Sequence, residues 1–226
     1  MDEIILLDKP AGITSFGVVA RLRRILTEQL QAKTGEKRKV KVGHTGTLDP
    51  FATGLLILLT GKMTKRADEF LKMDKVYLAT LELGAISTTG DPEGQITQLL
   101  SINPPPDLAK IQQTLPRFVG KIKQTPPIFS AIKVNGRRAY DLARKGEKPT
   151  MPEREIEIYS LDLIDFNDGL LTIRVHCSSG TYIRTLAVDI GRALGCGAYL
   201  TALCREKIGS YDLKNAQTLA DFGILD

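Results

Sequence analysis

The sequence predicts an α+β fold, a sheet with many antiparallel pairs covered by helices. Three observations predict it. Short apolar runs, alternating or continuous, recur between turn signals, and longer stretches repeat apolar residues at helical spacing. Ile156–Phe166 and Leu170–Cys177 are both strand-like and are joined by Asn167-Asp168-Gly169, a hairpin signal.

In chain order, Glu3–Leu7 reads as a first strand. Ser15 is the expected N-cap of a helix carrying Val18, Val19, Leu22, Ile25, Leu26 and Leu30 on one face. Gln31–Lys39 reads as a basic loop. Leu55–Leu59, continuous and apolar between Gly54 and Gly61, is expected to be a strand buried on both faces. Lys62–Met73 has helical spacing with Ala67, Phe70 and Leu71 on one side, and Lys75–Leu83 alternates as a strand. Gly84–Gln95 reads as a loop, Pro106–Phe118 as a helix after a proline break. Asn135-Gly136 marks a tight turn before a short helix. After the hairpin, Ser178-Ser179-Gly180 introduces a helix with Ile183, Leu186, Ala187, Ile190 and Leu194 on its apolar face.

A chain of 226 residues can bury a substantial core as one large domain or as two lobes sharing a sheet, and neither repeats nor a linker interrupt it. Its 42% hydrophobic and 25% charged residues are those of an ordinary globular protein. The opening MDEIILLDKP is acidic, with four consecutive apolar residues, which fits neither a signal peptide nor a membrane span. Three cysteines without paired spacing argue against a disulfide framework, so the expected compartment is the cytoplasm. Net charge is +5, but it is concentrated. Arg21–Lys41 holds eight Lys/Arg against two Glu, and Lys121–Arg154 nine against three acids. Such clusters suit a polyanion contacted through its phosphates, and equally suit two solvated loops.

Most chemistries fail on the residues present. Two distant histidines, His44 and His176, and three scattered cysteines lack metal-ligand spacing. His176 and Cys177 are adjacent on a strand, so their side chains face opposite ways and cannot form a dyad. GLLILLTGKM places six residues between its glycines and Met63 where a phosphate loop needs a hydroxyl. What remains is Asp49, set among Gly43, Gly46 and Gly54, which would allow close approach of a ligand or another backbone. Asp49 before Pro50 also fits a turn in which the carboxylate accepts backbone N–H groups, and both readings stand.

GHTGTLDPFATGLL, Gly43–Leu56, resembles the catalytic-loop motif of the TruB family of tRNA pseudouridine synthases. LDKPAGITS, KVYLATLELG, QTPPIFSAIKVNGRRAYDLARKG and SSGTYIRTLAVDIG resemble further blocks of that family, in family order and across nearly the whole chain. The resemblance implies an enzyme that isomerises uridine 55 in the T-loop of tRNA, breaking the N1–C1′ bond and rejoining the base through C5. It also implies the pseudouridine synthase fold, with a central mixed, largely antiparallel sheet and an RNA-gripping insertion at residues 124–152. The expected partner is the tRNA T-arm, engaged by a monomer without cofactor, metal or membrane.

The family's nucleophilic aspartate falls on Asp49, its paired arginine on Arg184, and its base-stacking tyrosine, which takes the C5 proton, on Tyr77. His44 matches the histidine that fills the space left by the flipped uridine. Leu203 matches a leucine near the pocket. Lys9, with Pro10, matches an N-terminal motif expected to support the catalytic loop. Lys9, Gly43 and the insertion residues Lys133, Arg137 and Arg138 complete the expected substrate-binding set. The chain departs from the family pattern in ending at Asp226 without room for a complete C-terminal PUA domain. Cys204 stands where arginine is common, and Thr88 where aspartate is usual.

Overall fold

The computed structural model describes residues 2–35, 37–99, 106–130, 132–134, 136–147 and 149–224. Strand β1, Ile4–Lys9, buries Ile5, Leu7 and Lys9. Helix α1, Ser15–Thr34, is capped by Thr14, whose side chain accepts the Gly17 N–H at 2.9 Å. Ser15 was the expected cap, but its hydroxyl is held elsewhere, by Leu48. The helix runs four residues into the expected basic loop and stops at Gly35 in the left-handed region, a common C-terminal device. Strands β2, Val42–His44, and β3, Thr53–Thr60, follow. The expected helix over Lys62–Met73 divides into a 3₁₀ segment, Gly61–Arg66, and a short α2, Ala67–Leu71. Strand β4, Lys75–Leu83, alternates as its sequence requires.

The expected loop after β4 contains β5, Ala85–Ser87, paired with β6, Ile96–Gln98. Helix α3, Leu108–Thr114, is capped by Asp107 and continues as a 3₁₀ turn, Leu115–Phe118. Next come β7, Gly120–Gln124, then the small hairpin β8, Lys133–Val134, with β9, Arg137–Arg138, and α4, Ala139–Arg144. Asn135 lies outside the described residues; Gly136 beside it has φ 80°. Strands β10, Arg154–Asn167, and β11, Leu170–Cys177, form the expected hairpin. Asp168 and Gly169 have φ of 48° and 78°, the positive pair that a two-residue turn of matching twist demands. Helix α5, Ile183–Leu194, and strands β12, Ala198–Ile208, and β13, Tyr211–Asp212, complete the set.

The chain forms two compact units. The first comprises Met1–Leu78 and Leu203–Asp226. Its centre is β3, antiparallel to β1 from Ile4↔Leu59 to Lys9↔Gly54, antiparallel to β2, and parallel to β12 at Cys204↔Thr53 and Arg205↔Gly54. Leu56 and Leu58 pack with Val18, Leu22 and Leu26 of α1, while Leu55, Ile57 and Leu59 pack with Phe70 and Ile208. A strand covered on both faces has no polar side to alternate with, which explains its unbroken apolar run. Truncating one of these leucines to alanine removes about 2–5 kcal/mol of stability.

The second unit, Ala79–Ala202, is built on β11, β10 and β7 in antiparallel register, with Ile156, Ile158, Ile173 and Val175 buried. Every predicted apolar-face residue of α5 is buried. Gln124 of β7 fixes the start of that helix: its side chain donates to the Tyr182 carbonyl at 3.0 Å and accepts the Tyr182 N–H at 2.8 Å. Tyr199 donates to Glu82 at 2.7 Å, and burial, aided by that bond, pushes its phenol up to about 12. Cys177 is fully buried, while the His176 ring lies 4.8 Å from that of Tyr159. The architecture is α+β, a mixed sheet flanked by helices, and no helix among the described residues is long and apolar enough to cross a membrane.

Candidate active site

In the first unit, Asp49 stands on the loop between β2 and β3. The loop buries Thr45, Leu48 and Ala52, and its main chain is held as well. Thr45, fully buried, donates its N–H to the Ile57 carbonyl at 3.0 Å. Ser15 Oγ accepts the Leu48 N–H at 2.8 Å and donates to the Leu48 carbonyl at 3.0 Å. The Pro50 carbonyl accepts the Gly12 N–H at 2.8 Å. The Asp49 carbonyl accepts the Ala52 N–H at 3.1 Å, so the Asp-Pro turn closes through the main chain. Asp49 itself is half-buried.

Two buried cations complete the mount. Lys9 is fully buried, and its Nζ donates to the carbonyls of Ile13 at 2.7 Å, Pro10 at 2.8 Å and Pro50 at 3.2 Å. Arg205, 2% exposed, donates through Nε to the Leu55 carbonyl at 2.8 Å and through Nη2 to the Gly46 carbonyl at 3.1 Å. These bonds satisfy both the cations and the carbonyls of a loop that would otherwise carry buried, unmet acceptors. Gly54 is required beside them. Its φ is 98°, and a Cβ there would lie 2.5 Å from the Arg205 carbonyl oxygen.

His44 is half-buried at the loop's entry, its Nδ1 accepting the Gly46 N–H at 3.3 Å. Burial first, and then the nearby Arg205 charge, hold its pKa below the ordinary value of 6.5. An imidazole accepting at Nδ1 and pushed toward neutrality is suited to fill space more than to donate a proton. Gly43 pairs with Leu59 in the sheet, Tyr77 is buried on β4, and the Leu203 carbonyl accepts the Thr53 hydroxyl at 3.4 Å. Cys204 has its thiol pushed up by burial, which makes it a poor nucleophile.

In the second unit, Arg184 occupies the first turn of α5. Off the apolar face, an arginine by itself would be exposed, whereas the resemblance implies a paired one; the structure buries it to 6% exposure. Its Nη1 lies 3.1 Å from Asp91 Oδ2 and donates to the Thr89 carbonyl at 3.3 Å, while Nη2 donates to the Phe129 carbonyl at 2.9 Å. Asp91, 2% exposed, is a partner of Arg184 that the sequence reading missed. Its Oδ1 also accepts from the Thr89 hydroxyl and the Glu93 N–H. An Asp-Pro pair in a glycine-rich stretch signals only a turn, and the partner lies 93 positions away. Thr88, the departure from the family pattern, pairs with Gln95 across the β5–β6 hairpin.

Lys133, Arg137 and Arg138 are exposed on the β8–β9 hairpin. They help line an open cavity of about 710 Å³ together with Tyr140 and Arg144. Two guanidiniums lie over the Tyr140 ring, Arg138 at 5.8 Å and Arg144 at 5.6 Å from its centroid. Arg138 also donates to the Tyr140 hydroxyl at 3.1 Å, and Arg137 pairs with Glu147 at 3.2 Å.

The TruB family pseudouridylate synthase N-terminal domain matches residues 31–183, and the tRNA pseudouridylate synthase B C-terminal domain matches residues 184–224. The tRNA pseudouridine synthase B of Dechloromonas aromatica is 46% identical, covering 100% of this chain and 71% of that protein. The one from Phocaeicola vulgatus is 45% identical, covering 97% and 91%. Among solved structures, a Cbf5-Nop10-Gar1 complex matches with a TM-score of 0.70 and 30% identity over 96% of this chain. An H/ACA RNP bound to a substrate RNA containing 2'-deoxyuridine matches with a TM-score of 0.68 and 28% identity. The chain spans 52% and 51% of those two chains, about half their length.

Proposed function

Because the chain belongs to the TruB family of pseudouridylate synthases, we propose that it converts uridine 55 in the T-loop of tRNA to pseudouridine. The observation that carries this reading is the mounting of Asp49, on a turn closed by its own backbone and supported by buried Lys9, Ser15 and Arg205. A carboxylate held by a rigid support is what a reaction at a single sugar carbon needs.

One carboxylate suffices. Hydrolytic glycosidases use two because water must be activated or the leaving group protonated. An isomerisation that keeps its base in the pocket needs no water: the N1–C1′ bond breaks, a C5–C1′ bond forms, C5 gives up its proton and N1 takes one. Asp49 either traps or stabilises the electron-poor C1′, or removes a proton from C2′. It has to be ionised away from water, which requires a cation, and Arg184 takes that role. Tyr77 stacks on the extruded base and accepts the C5 proton. His44, neutral, fills the place the uridine vacates. Leu203 and Gly43 shape the surroundings of the base.

Extruding the base costs a few kcal/mol, and contacts to the rest of the T-arm offset it. Lys133, Arg137 and Arg138, in the insertion at residues 124–152, supply these through phosphates. The protein works as a monomer in the cytoplasm and needs no cofactor. Unmodified tRNA transcript is the test substrate, with pseudouridine mapped by carbodiimide treatment and primer extension. A stop at position 55 with the wild-type chain and none with Asp49→Asn is expected. Modification elsewhere only, or full activity of Asp49→Asn, overturns the reading.

A further inference from the structure

We infer that the far end of α1 and the segment that follows it form a second RNA-contacting surface, one that engages tRNA phosphates outside the T-arm. The inference rests on the function proposed above. Lys33, Lys37, Arg38, Lys39 and Lys41 are all exposed, and among the described residues none of them pairs with a carboxylate. The one ion pair near them, Arg24 with Glu28 at 4.0 Å, lies further back along the helix. Five cations within nine residues repel one another, and such crowding is relieved when phosphates replace their counterions.

Their position follows from the hydrogen bonds. The start of α1 is fastened to the catalytic loop by Ser15 and Leu48. From there the helix extends for about 30 Å. The chain comes back along the helix, with the Val40 N–H bonded to Thr27 Oγ1 at 3.1 Å and the Lys41 carbonyl to the Gly61 N–H at 2.8 Å. Residues 37–39 therefore lie beyond Thr27, roughly 18 to 30 Å along the axis from Ser15. Phosphates touching them are distant from a uridine that is seated against Asp49. A membrane surface fits less well: the apolar face of α1, with Val18, Val19, Leu22 and Leu26, is buried in the core and has nothing to insert into lipid.

The test uses the full chain carrying Lys37→Glu, Arg38→Glu and Lys39→Glu together, and two substrates, a full-length tRNA transcript and an isolated T-arm hairpin. KM for the full-length transcript is expected to rise at least about tenfold, with the hairpin changing less than about twofold. In the wild-type protein, the slope of log Kd against log salt should be steeper for the transcript than for the hairpin. The triple variant should lose about two to three units of that excess. A Gln triple variant should show the same pattern at smaller size. Equal losses on both substrates, or losses on neither, overturn the inference. So does binding to phosphatidylserine vesicles that disappears in the variant while tRNA kinetics stay unchanged. If the wild-type chain forms no pseudouridine at position 55 of the full-length transcript, the proposed function falls instead, a result separable from the KM comparison.

Discussion

Lys9→Met removes the ammonium beneath the Asp49 loop while keeping most of the stem's volume. The native side chain is fully buried and its Nζ donates at 2.7, 2.8 and 3.2 Å to the carbonyls of Ile13, Pro10 and Pro50. A hydrogen bond from a charged group contributes about 1.5–3 kcal/mol, but burying an ammonium costs several. The Pro50 carbonyl also keeps its bond from the Gly12 N–H. A net loss of about 3 kcal/mol is expected, which for a chain of this size lowers Tm by about 6–12 °C. A carbonyl released next to Asp49 lets the carboxylate shift, and a misplacement of about 1 Å is enough to slow a reaction about 100-fold. Calorimetry and single-turnover pseudouridine formation on saturating tRNA read the two effects. Both should fall, with tRNA affinity staying within about threefold. If Tm stays within about 1 °C and the single-turnover rate is unchanged while tRNA affinity drops tenfold, Lys9 touches RNA and does not hold the loop.

Asp91→Asn should lower kcat by at least about tenfold and Tm by several degrees, because breaking a pair buried to 7% and 2% side-chain exposure costs about 3–5 kcal/mol; KM for tRNA should hardly move. Gly54→Ala combines a φ of 98° with a backbone overlap at 2.5 Å and should cost about 4 kcal/mol in urea unfolding, whereas Gly12→Ala, equally left-handed but in open space, should cost about 1. For His44 the folded pKa lies below the ordinary 6.5, so the unfolded chain binds more protons as the pH falls beneath that value. Its contribution is intact above pH 6.5 and is lost on acidification toward the folded pKa; in urea titrations at pH 7.5 and 5.5, His44→Gln should lose less stability than the wild type. Tyr77→Phe should retain tRNA binding and lose turnover, since stacking survives and proton transfer does not.

What could be read from the sequence was local. The buried run Leu55–Leu59, the Asn167-Asp168-Gly169 turn and the apolar face of α5 each announce themselves within a dozen residues, because side-chain period and turn geometry are properties of neighbours. Strands β5 and β6 are three residues each, too short for alternation to register. β12 was missed for another reason: its end reads Cys204-Arg205-Glu206-Lys207, the pattern of a solvated segment. Arg205 becomes part of the interior only through carbonyls 150 and 159 positions away. Asp91 is hidden in the same way, as a turn residue until the helix carrying Arg184 folds against it.

The same long-range pairs explain why the support of Asp49 takes this chemical form. Between Gly46 and Gly54, Leu48 and Ala52 are buried while the glycines have no side chain to pack, so hydrophobic burial fixes only part of the segment. Carbonyl oxygens are the handles that remain, and a donor able to satisfy several at once is an ammonium or a guanidinium. Lys9 and Arg205 are therefore positive by structural necessity. Replacing either with an apolar side chain of equal size should loosen the loop, since such a side chain donates to none of its carbonyls.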